Sequence, residues 1–396
     1  MDEIAKNRLG EVLTTYFTAS GYAKGFTNKE LYYLTKAMVE TGEKLKFPGI
    51  VADKHSIGGI PGTRTTLIVV PIIAAAGFKI PKSSSRAITS PGGTADDMEV
   101  LAPVIIPMKK IYEIVKKTNA CIVWGGSFGI APADDAIITV EKPLLFESYD
   151  KILVSVMAKK IAFGSNHIVI DIPYGKNAKV HKKKDAIGLK EKFQYLARKF
   201  RVEIKVLVHK TNEPWGRGIG AILETRDAIR VLQQKPNRPL DLEDGSLLLA
   251  TELLKLCLNH SPKSLQHKIR KQYENCENWA KEILESGLAF SKMQEIIKAQ
   301  GGNSDIDSED LQPGNFSEDI KARRSGTVKE INIKSITALA KALGSPEQKG
   351  AGIYLYKKIG EKVDKEEIIY TIYSEKMNDL KKGERVRKES PILNIL

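Results

Sequence analysis

The chain has 396 residues, with 62 Lys and Arg against 48 Asp and Glu and a formal charge of +14. That length suits two or three domains with a real core. A content of 42% hydrophobic and 28% charged residues is that of a soluble globular chain, not a disordered or fibrous one. Cys121, Cys257 and Cys276 show neither paired nor metal-ligand spacing, so no disulfide framework is expected and a reducing cytoplasm fits. The opening MDEIAKNRLG has no basic-then-apolar leader, and the longest apolar run, Leu67 to Phe78, is too short for a bilayer. The excess positive charge suits an anionic partner: nucleic acid, a membrane surface or a phosphorylated small molecule.

In chain order, residues 1 to about 45 read as helices. In NKELYYLTKAMVETGEKL, Leu31, Leu34, Met38 and Val39 share one helical face, with Asn28 or Thr27 as the cap. From Ile50, GIVADKHS reads as a strand, TTLIVVPIIAAAGFKI as a buried helix closed by Gly77, and NACIVWGG as a strand. SYDKILVSVMAKKIAFG reads as an amphipathic helix, NHIVIDIPYG and EIKVLVHKT as strands, and TRDAIRVLQQ as a helix. Strands alternating with helices predict an α/β sheet with helices packed on it. Ligands in such sheets lie at the carboxyl ends of strands, where DKHSIGG and IPYGKNAK fall. Residues 240 to 300 read as helical. GGNSDIDSEDLQPGNFSED reads as an inter-domain connection, and the alternating remainder as a small, mostly β domain.

Two loops carry the chemistry. In DKHSIGGIPGTRTT, Gly58, Gly59 and Gly62 permit close backbone approach to a ligand. Lys54 and His55 offer charge, and Ser56, Thr65 and Thr66 offer hydroxyls at the start of a helix, a set that suits phosphate. It is not a P-loop, because no Gly-Lys-Ser/Thr follows four variable residues. In SSSRAITSPGGTADD, Ser84, Ser85, Arg86, Thr89, Ser90 and Thr94 form a second hydroxyl-rich loop before a helix start at Thr94. Two such loops predict a substrate with two phosphate sites, or a phosphate beside a sugar. Ser155 and Lys159 lie four apart on one helix face and could bind a base carbonyl or ring nitrogen. Glu147 just before them could supply a carboxylic acid. KVHKKKD, from Lys179 to Asp185, reads as an exposed loop, as a phosphate contact through Lys179, or as a non-specific RNA contact. Aromatic residues are not interleaved there, which speaks against stacking on single strands. The six histidines form no ligand-like pair, so no metal is expected.

These stretches, with SFGIAPADDAIITVE, SVMAKK, EPWGRGIGAILETRDAI and KGAGIYLYKKIGEKV, resemble the thymidine/pyrimidine nucleoside phosphorylase family, most closely its AMP phosphorylase branch. The resemblance runs from about Thr27 to the C-terminus. It implies a small all-α domain from two segments (1–45 and 128–163) and a large α/β phosphate-binding domain with a mixed sheet (46–127 and 164–315). A C-terminal α+β domain (316–396) would follow. It implies inorganic phosphate on Lys54, Ser56, Ser84 and Thr94, to which the loop reading adds Thr66. His55 would be the active-site histidine. The nucleotide would sit on Gly59, the run Ser85, Arg86, Ala87, Ile88, Thr89 and Ser90, then Thr94, Ser155 and Lys179, with Lys159 beside Ser155.

Two positions depart from the family. Glu141 stands where thymidine phosphorylases place a pyrimidine-binding Arg, which argues against plain thymidine phosphorolysis. Glu147 stands where AMP phosphorylases place the Asp proton donor. The extra N-terminal domain of archaeal-type AMP phosphorylases is not seen, so a homodimer through the α domain is expected. The implied reaction converts AMP, with CMP and UMP left open, and phosphate to free base and ribose 1,5-bisphosphate, in the cytoplasm and without cofactor, nucleic acid or membrane. Three rivals remain. One is a nucleoside phosphorylase. Another is an anthranilate-type phosphoribosyltransferase, which would need Asp96, Asp97 and Glu99 for magnesium. The third is an RNA-binding protein, marked by salt-sensitive RNA affinity without phosphorolysis.

Overall fold

The computed structural model describes residues 1–87, 90–127, 129–141 and 148–396. Helices Asp2–Ala5, Gly10–Lys24 and Asn28–Glu40 open the chain. Of the two candidate caps, Thr27 is the one used. Its hydroxyl accepts from Glu30 N–H at 3.3 Å, while the Glu30 carboxylate accepts from Thr27 N–H at 2.8 Å. Leu31, Met38 and Val39 face inward, as the 3.6-residue period requires. They meet Ile137 of helix Pro132–Glu141 and Leu153, Val154 and Met157 of helix Tyr149–Ala162 in one apolar cluster. That last helix carries Ser155 and Lys159. It is less amphipathic than its spacing predicts, because the cluster continues past it into Ile168, Ile170 and Phe193.

The five long strands of the middle segment are β1 (Ala52–Ser56), β2 (Ile80–Ser84), β3 (Ala120–Trp124), β4 (His167–Tyr174) and β5 (Glu203–Lys210). β1–β4, β4–β5 and β2–β3 pair in parallel, and a parallel bridge from Val51 to Lys79 sets β2 beside β1. The order is therefore β3-β2-β1-β4-β5. The ladders described here are all parallel. The short antiparallel piece of this segment, β6 (Gly218–Ile219), pairs instead with Ile353 and Tyr354 of the C-terminal segment. After β1 the chain moves to one side of it, and later returns to the other. Such a reversal opens a crevice at the carboxyl ends of the strands.

Helix Thr66–Ala75 leads back from β1 and is buried from Thr66 to Ala74, with apolar neighbours from helices Leu240–Asn259 and Leu288–Gln300. A ten-residue run that is apolar on every side has no solvent face to offer, so it sits inside. The acidic connection after residue 300 is fastened to helix Ala221–Leu232 and the turn after it. Arg230 Nε lies 2.7 Å from Glu309 and Lys235 Nζ 2.6 Å from Asp307.

Beyond it, β7 (Phe316–Lys321), β8 (Gly326–Ile331), β9 (Gly352–Leu355), β10 (Lys362–Val363), β11 (Ile368–Ser374) and β12 (Leu393–Ile395) form sheets β6-β9-β11-β7 and β10-β8-β12. Helices Ile333–Ala342 and Met377–Glu389 complete an α+β unit around its own core, which includes Val328, Leu339, Ile353 and Ile372. Among the described residues no helix is long and apolar enough to cross a membrane.

Candidate active site

The ends of all five parallel strands meet one cavity of about 610 Å³. On β1, alternation puts Lys54 and Ser56 on one face and Asp53 and His55 on the other. Lys54 is 2% exposed and donates to Thr65 Oγ1. Burial, with Arg64 and Lys160 nearby, brings its ammonium down to about 8 against the pull of Asp171. His55 also lines the cavity. Burial, then the charges of Lys160, Lys82 and Lys54, drive its imidazole well below the ordinary value, so it is neutral at neutral pH. Thr66 opens the buried helix at the cavity wall. Gly59 turns the intervening loop with φ +73, a conformation that side chains rarely adopt.

The second loop begins at the end of β2. Ser84, Ser85, Arg86, Ala87, Ser90 and Thr94 line the same cavity, while Ile88 and Thr89 lie outside the described residues. Ser84 Oγ is buried without a hydrogen-bond partner among the described residues, a state that costs free energy unless a ligand accepts from it. Asp96 clamps the loop: its Oδ2 accepts from Ala87 N–H at 2.7 Å and Gly93 N–H at 3.0 Å. A Cβ at Gly93 would lie 2.6 Å from Ser85 O, which only glycine avoids. Arg64 ties this loop to the first, donating to Gly92 O while its Nε sits 2.6 Å from Asp97 and against Glu224.

Arg86 reaches the cavity, but its charge is already matched. Glu99 receives it bidentately at 2.6 Å and Asp96 at 3.1 Å, with the guanidinium 5.0 Å above Trp124. Asp96, Asp97 and Glu99 are thus engaged by Arg86, Arg64 and Lys349. Among the described residues no cluster of three metal-ligating side chains gathers.

The helical wall brings Ser155 and Lys159 together as their spacing predicts, and adds the reason. Asp134 Oδ2 accepts from Ser155 Oγ at 2.8 Å and lies 2.5 Å from Lys159 Nζ. Burial opposes the Asp134 charge, but Lys159 and Lys151 outweigh it and hold the carboxyl below its ordinary value. Glu141 is buried beside Lys151, at 2.5 Å. Glu147 lies outside the described residues. Lys179 lines the cavity near Gly59, while Lys182, Lys183 and Lys184 are exposed around the start of helix Lys183–Phe200.

Further residues around the cavity escaped the sequence reading. Lys82 and Lys160 line it and share buried Asp53, at 3.5 and 2.8 Å. Asp135 lines it with a carboxyl raised by burial. Asp171 accepts from Ser56 at 2.8 Å and from His209 at 2.8 Å, and His209 stacks on Trp215 with ring centroids 5.0 Å apart. A sequence signal existed for Asp171, a lone charge inside the apolar strand IVIDIP. None existed for His209, whose role depends on strand register.

Comparison with known proteins gives the family and the fold. A model described as "Glycosyl transferase family, a/b domain" matches residues 49–289, and one described as "Pyrimidine nucleoside phosphorylase C-terminal domain" matches 327–393. A "Putative thymidine phosphorylase" of Legionella pneumophila is 41% identical over 96% of this chain and 71% of its own length. An "AMP phosphorylase" of Thermofilum pendens is 40% identical over 99% of this chain and 73% of its own length. In fold alone, an anthranilate phosphoribosyltransferase from Thermus thermophilus superposes with a TM-score of 0.60 at 16% identity, over 76% of this chain and 93% of its own. Fold and site define an enzyme of the glycosyl transferase class. The chain belongs to the thymidine/pyrimidine nucleoside phosphorylase family.

Proposed function

We propose that the protein cleaves the N-glycosidic bond of a nucleoside 5′-monophosphate, AMP first, with inorganic phosphate. The products are free base and ribose 1,5-bisphosphate. One observation carries the reading: a single cavity gathers Lys54, Ser56, Thr66 and Ser84 on one wall, and Gly59, the Ser85–Ala87 loop, Ser155 and Lys179 around it. The names of relatives fall on both sides, thymidine phosphorylase and AMP phosphorylase. Glu141, buried against Lys151 where the thymidine branch has an arginine, favours the nucleotide side.

The chemistry follows from the walls. The transition state of phosphorolysis resembles an oxocarbenium ion, so the nucleophile must be held against the anomeric carbon. Lys54 and the hydroxyls of the strand ends supply position and charge for that. His55, neutral, contributes a hydrogen bond rather than a charge. The departing base takes a proton from a carboxylic acid, the role assigned to Glu147. Approach of the helical wall to the strand ends excludes water, the competing nucleophile. We assign the protein to the cytoplasm and to a homodimer formed through the helical segment, where Val12 and Tyr16 of helix Gly10–Lys24 are 82% and 76% exposed.

The test is base release from AMP, CMP, UMP, adenosine, thymidine and uridine, with and without phosphate. Phosphate-dependent release from AMP, with ribose 1,5-bisphosphate formed, is the expected result. Release from nucleosides alone moves the protein to the nucleoside branch, and release from none overturns the reading.

A further inference from the structure

A carboxylate is an unexpected wall for a cavity that holds an anion. Asp171 is 2% exposed and lines the same cavity as Lys54 and Ser56. Strand register puts it there: in the parallel β1–β4 ladder, Ser56 and Asp171 are direct partners. Its two oxygens are both held, Oδ2 by Ser56 Oγ–H and Oδ1 by His209 Nε2, each at 2.8 Å. His209 is itself fixed by stacking on Trp215, with planes 14° apart.

This arrangement has a directional consequence. A carboxylate only accepts, so the Ser56 proton points at Asp171. Ser56 therefore turns lone pairs, not a donor, toward the cavity. An oxyanion without protons would set its oxygens against those lone pairs and against the Asp171 charge. An oxyanion that keeps an O–H can donate it there, while its other oxygens accept from Lys54 and from Ser84.

We propose that Asp171, acting with Ser56, reads the proton on the incoming nucleophile, so that the site takes hydrogen phosphate and rejects oxyanions of the same shape that carry no proton. The proposal rests on reading this cavity as the phosphate site. Inorganic phosphate keeps at least one proton at neutral pH, whereas sulfate and monofluorophosphate keep none. His209 is the positioning residue, holding the carboxylate so that one face stays turned to Ser56.

The test is calorimetric titration of the full chain with inorganic phosphate, sulfate and monofluorophosphate at neutral pH, then of Asp171→Asn with the same three. A charge-assisted hydrogen bond gained by one anion and refused to the others predicts that phosphate binds roughly 10- to 100-fold more tightly. In Asp171→Asn the Ser56 hydroxyl is freed to donate, and the gap should shrink to about threefold or less. Sulfate or monofluorophosphate binding the unaltered protein as tightly as phosphate overturns the proposal, and so does an Asp171→Asn variant that keeps the full gap. If that variant does not fold, the three anions on the unaltered protein decide. Absence of phosphate binding overturns the proposal together with the site reading beneath it. Phosphate bound and discriminated, with no base released from any nucleotide, overturns only the assigned reaction.

Discussion

Lys349, in the C-terminal unit, sets its ammonium 3.1 Å from Asp96 Oδ1, the carboxylate whose other oxygen holds the backbone of the second loop. The same ammonium lies 3.1 Å from Glu99, which grips Arg86. A residue more than 250 positions away in the chain thus braces the loop assigned to the nucleotide. A second brace joins the other side, where Ile333 packs with Ile60 and Ala178.

Lys349→Ala should therefore loosen the loop without touching substrate. The expected result is a KM for AMP raised about three- to tenfold, with kcat changed less than about twofold, the scale of its two partly exposed ion pairs. Lys349→Arg should restore most of the loss. A fall in kcat with KM unchanged would show that the brace acts on the chemistry instead.

Asp134 is the hinge of the helical wall's polar set. Removing it leaves the partly buried Lys159 without its direct ion-pair partner, with only the more distant charge of Asp135 to favour its ammonium. Asp134→Ala is expected to cost on the order of 3 kcal/mol or more in denaturant unfolding, whereas Ser155→Ala should cost about 1 kcal/mol. Equal costs would mean that Lys159 finds another partner.

Lys54 sits where stability and function oppose each other. Burial holds its ammonium at about 8, below the ordinary lysine value of 10.5. A folded-state value below the unfolded one means that the unfolded chain binds the proton more tightly. The cost is therefore full below about pH 8 and fades as pH rises toward 10.5. At neutral pH it is on the order of 3 kcal/mol. Lys54→Met should raise Tm by a few degrees at pH 7 and abolish phosphate-dependent base release. The Tm gain should shrink by pH 10. A Tm gain that persists unchanged at pH 10 would remove the buried charge as its cause.

Lys179 and the acid are separable by substrate and by pH. Lys179→Ala should weaken use of AMP far more than use of adenosine, by roughly tenfold or more if it reads the 5′-phosphate. Equal losses would make it a structural residue. Glu147→Gln should lower kcat about 100-fold or more, and Asp135→Asn less than tenfold. The alkaline fall of kcat, set by loss of the acid's proton, should vanish only in the former. The reverse pattern would move the acid role to Asp135, whose carboxyl burial already raises.

Much of the loop chemistry was legible because it is local. The strand DKHS, the glycine turn and the buried helix behind it are contiguous, and a run apolar on all sides can only be interior. Thr94 at a helix start and Ser155 with Lys159 on one face follow from helix geometry alone. The parallel order of the sheet was not legible. Apolar strands carry no mark of which edge they join, and the short β6 of the middle segment pairs into the C-terminal sheet.

By itself, the sequence determined the family and the residue types along the two loops that line the cavity, since these depend on neighbours within a few positions. Tertiary structure alone decided what those residues can do. It spent the charge of Arg86 on Glu99, set Asp134 beneath Ser155 and Lys159, and brought Asp171 and His209 against Ser56. The physical reason is that a buried charge takes its protonation and orientation from whatever lies within a few ångströms. Strand register and helix packing choose those neighbours.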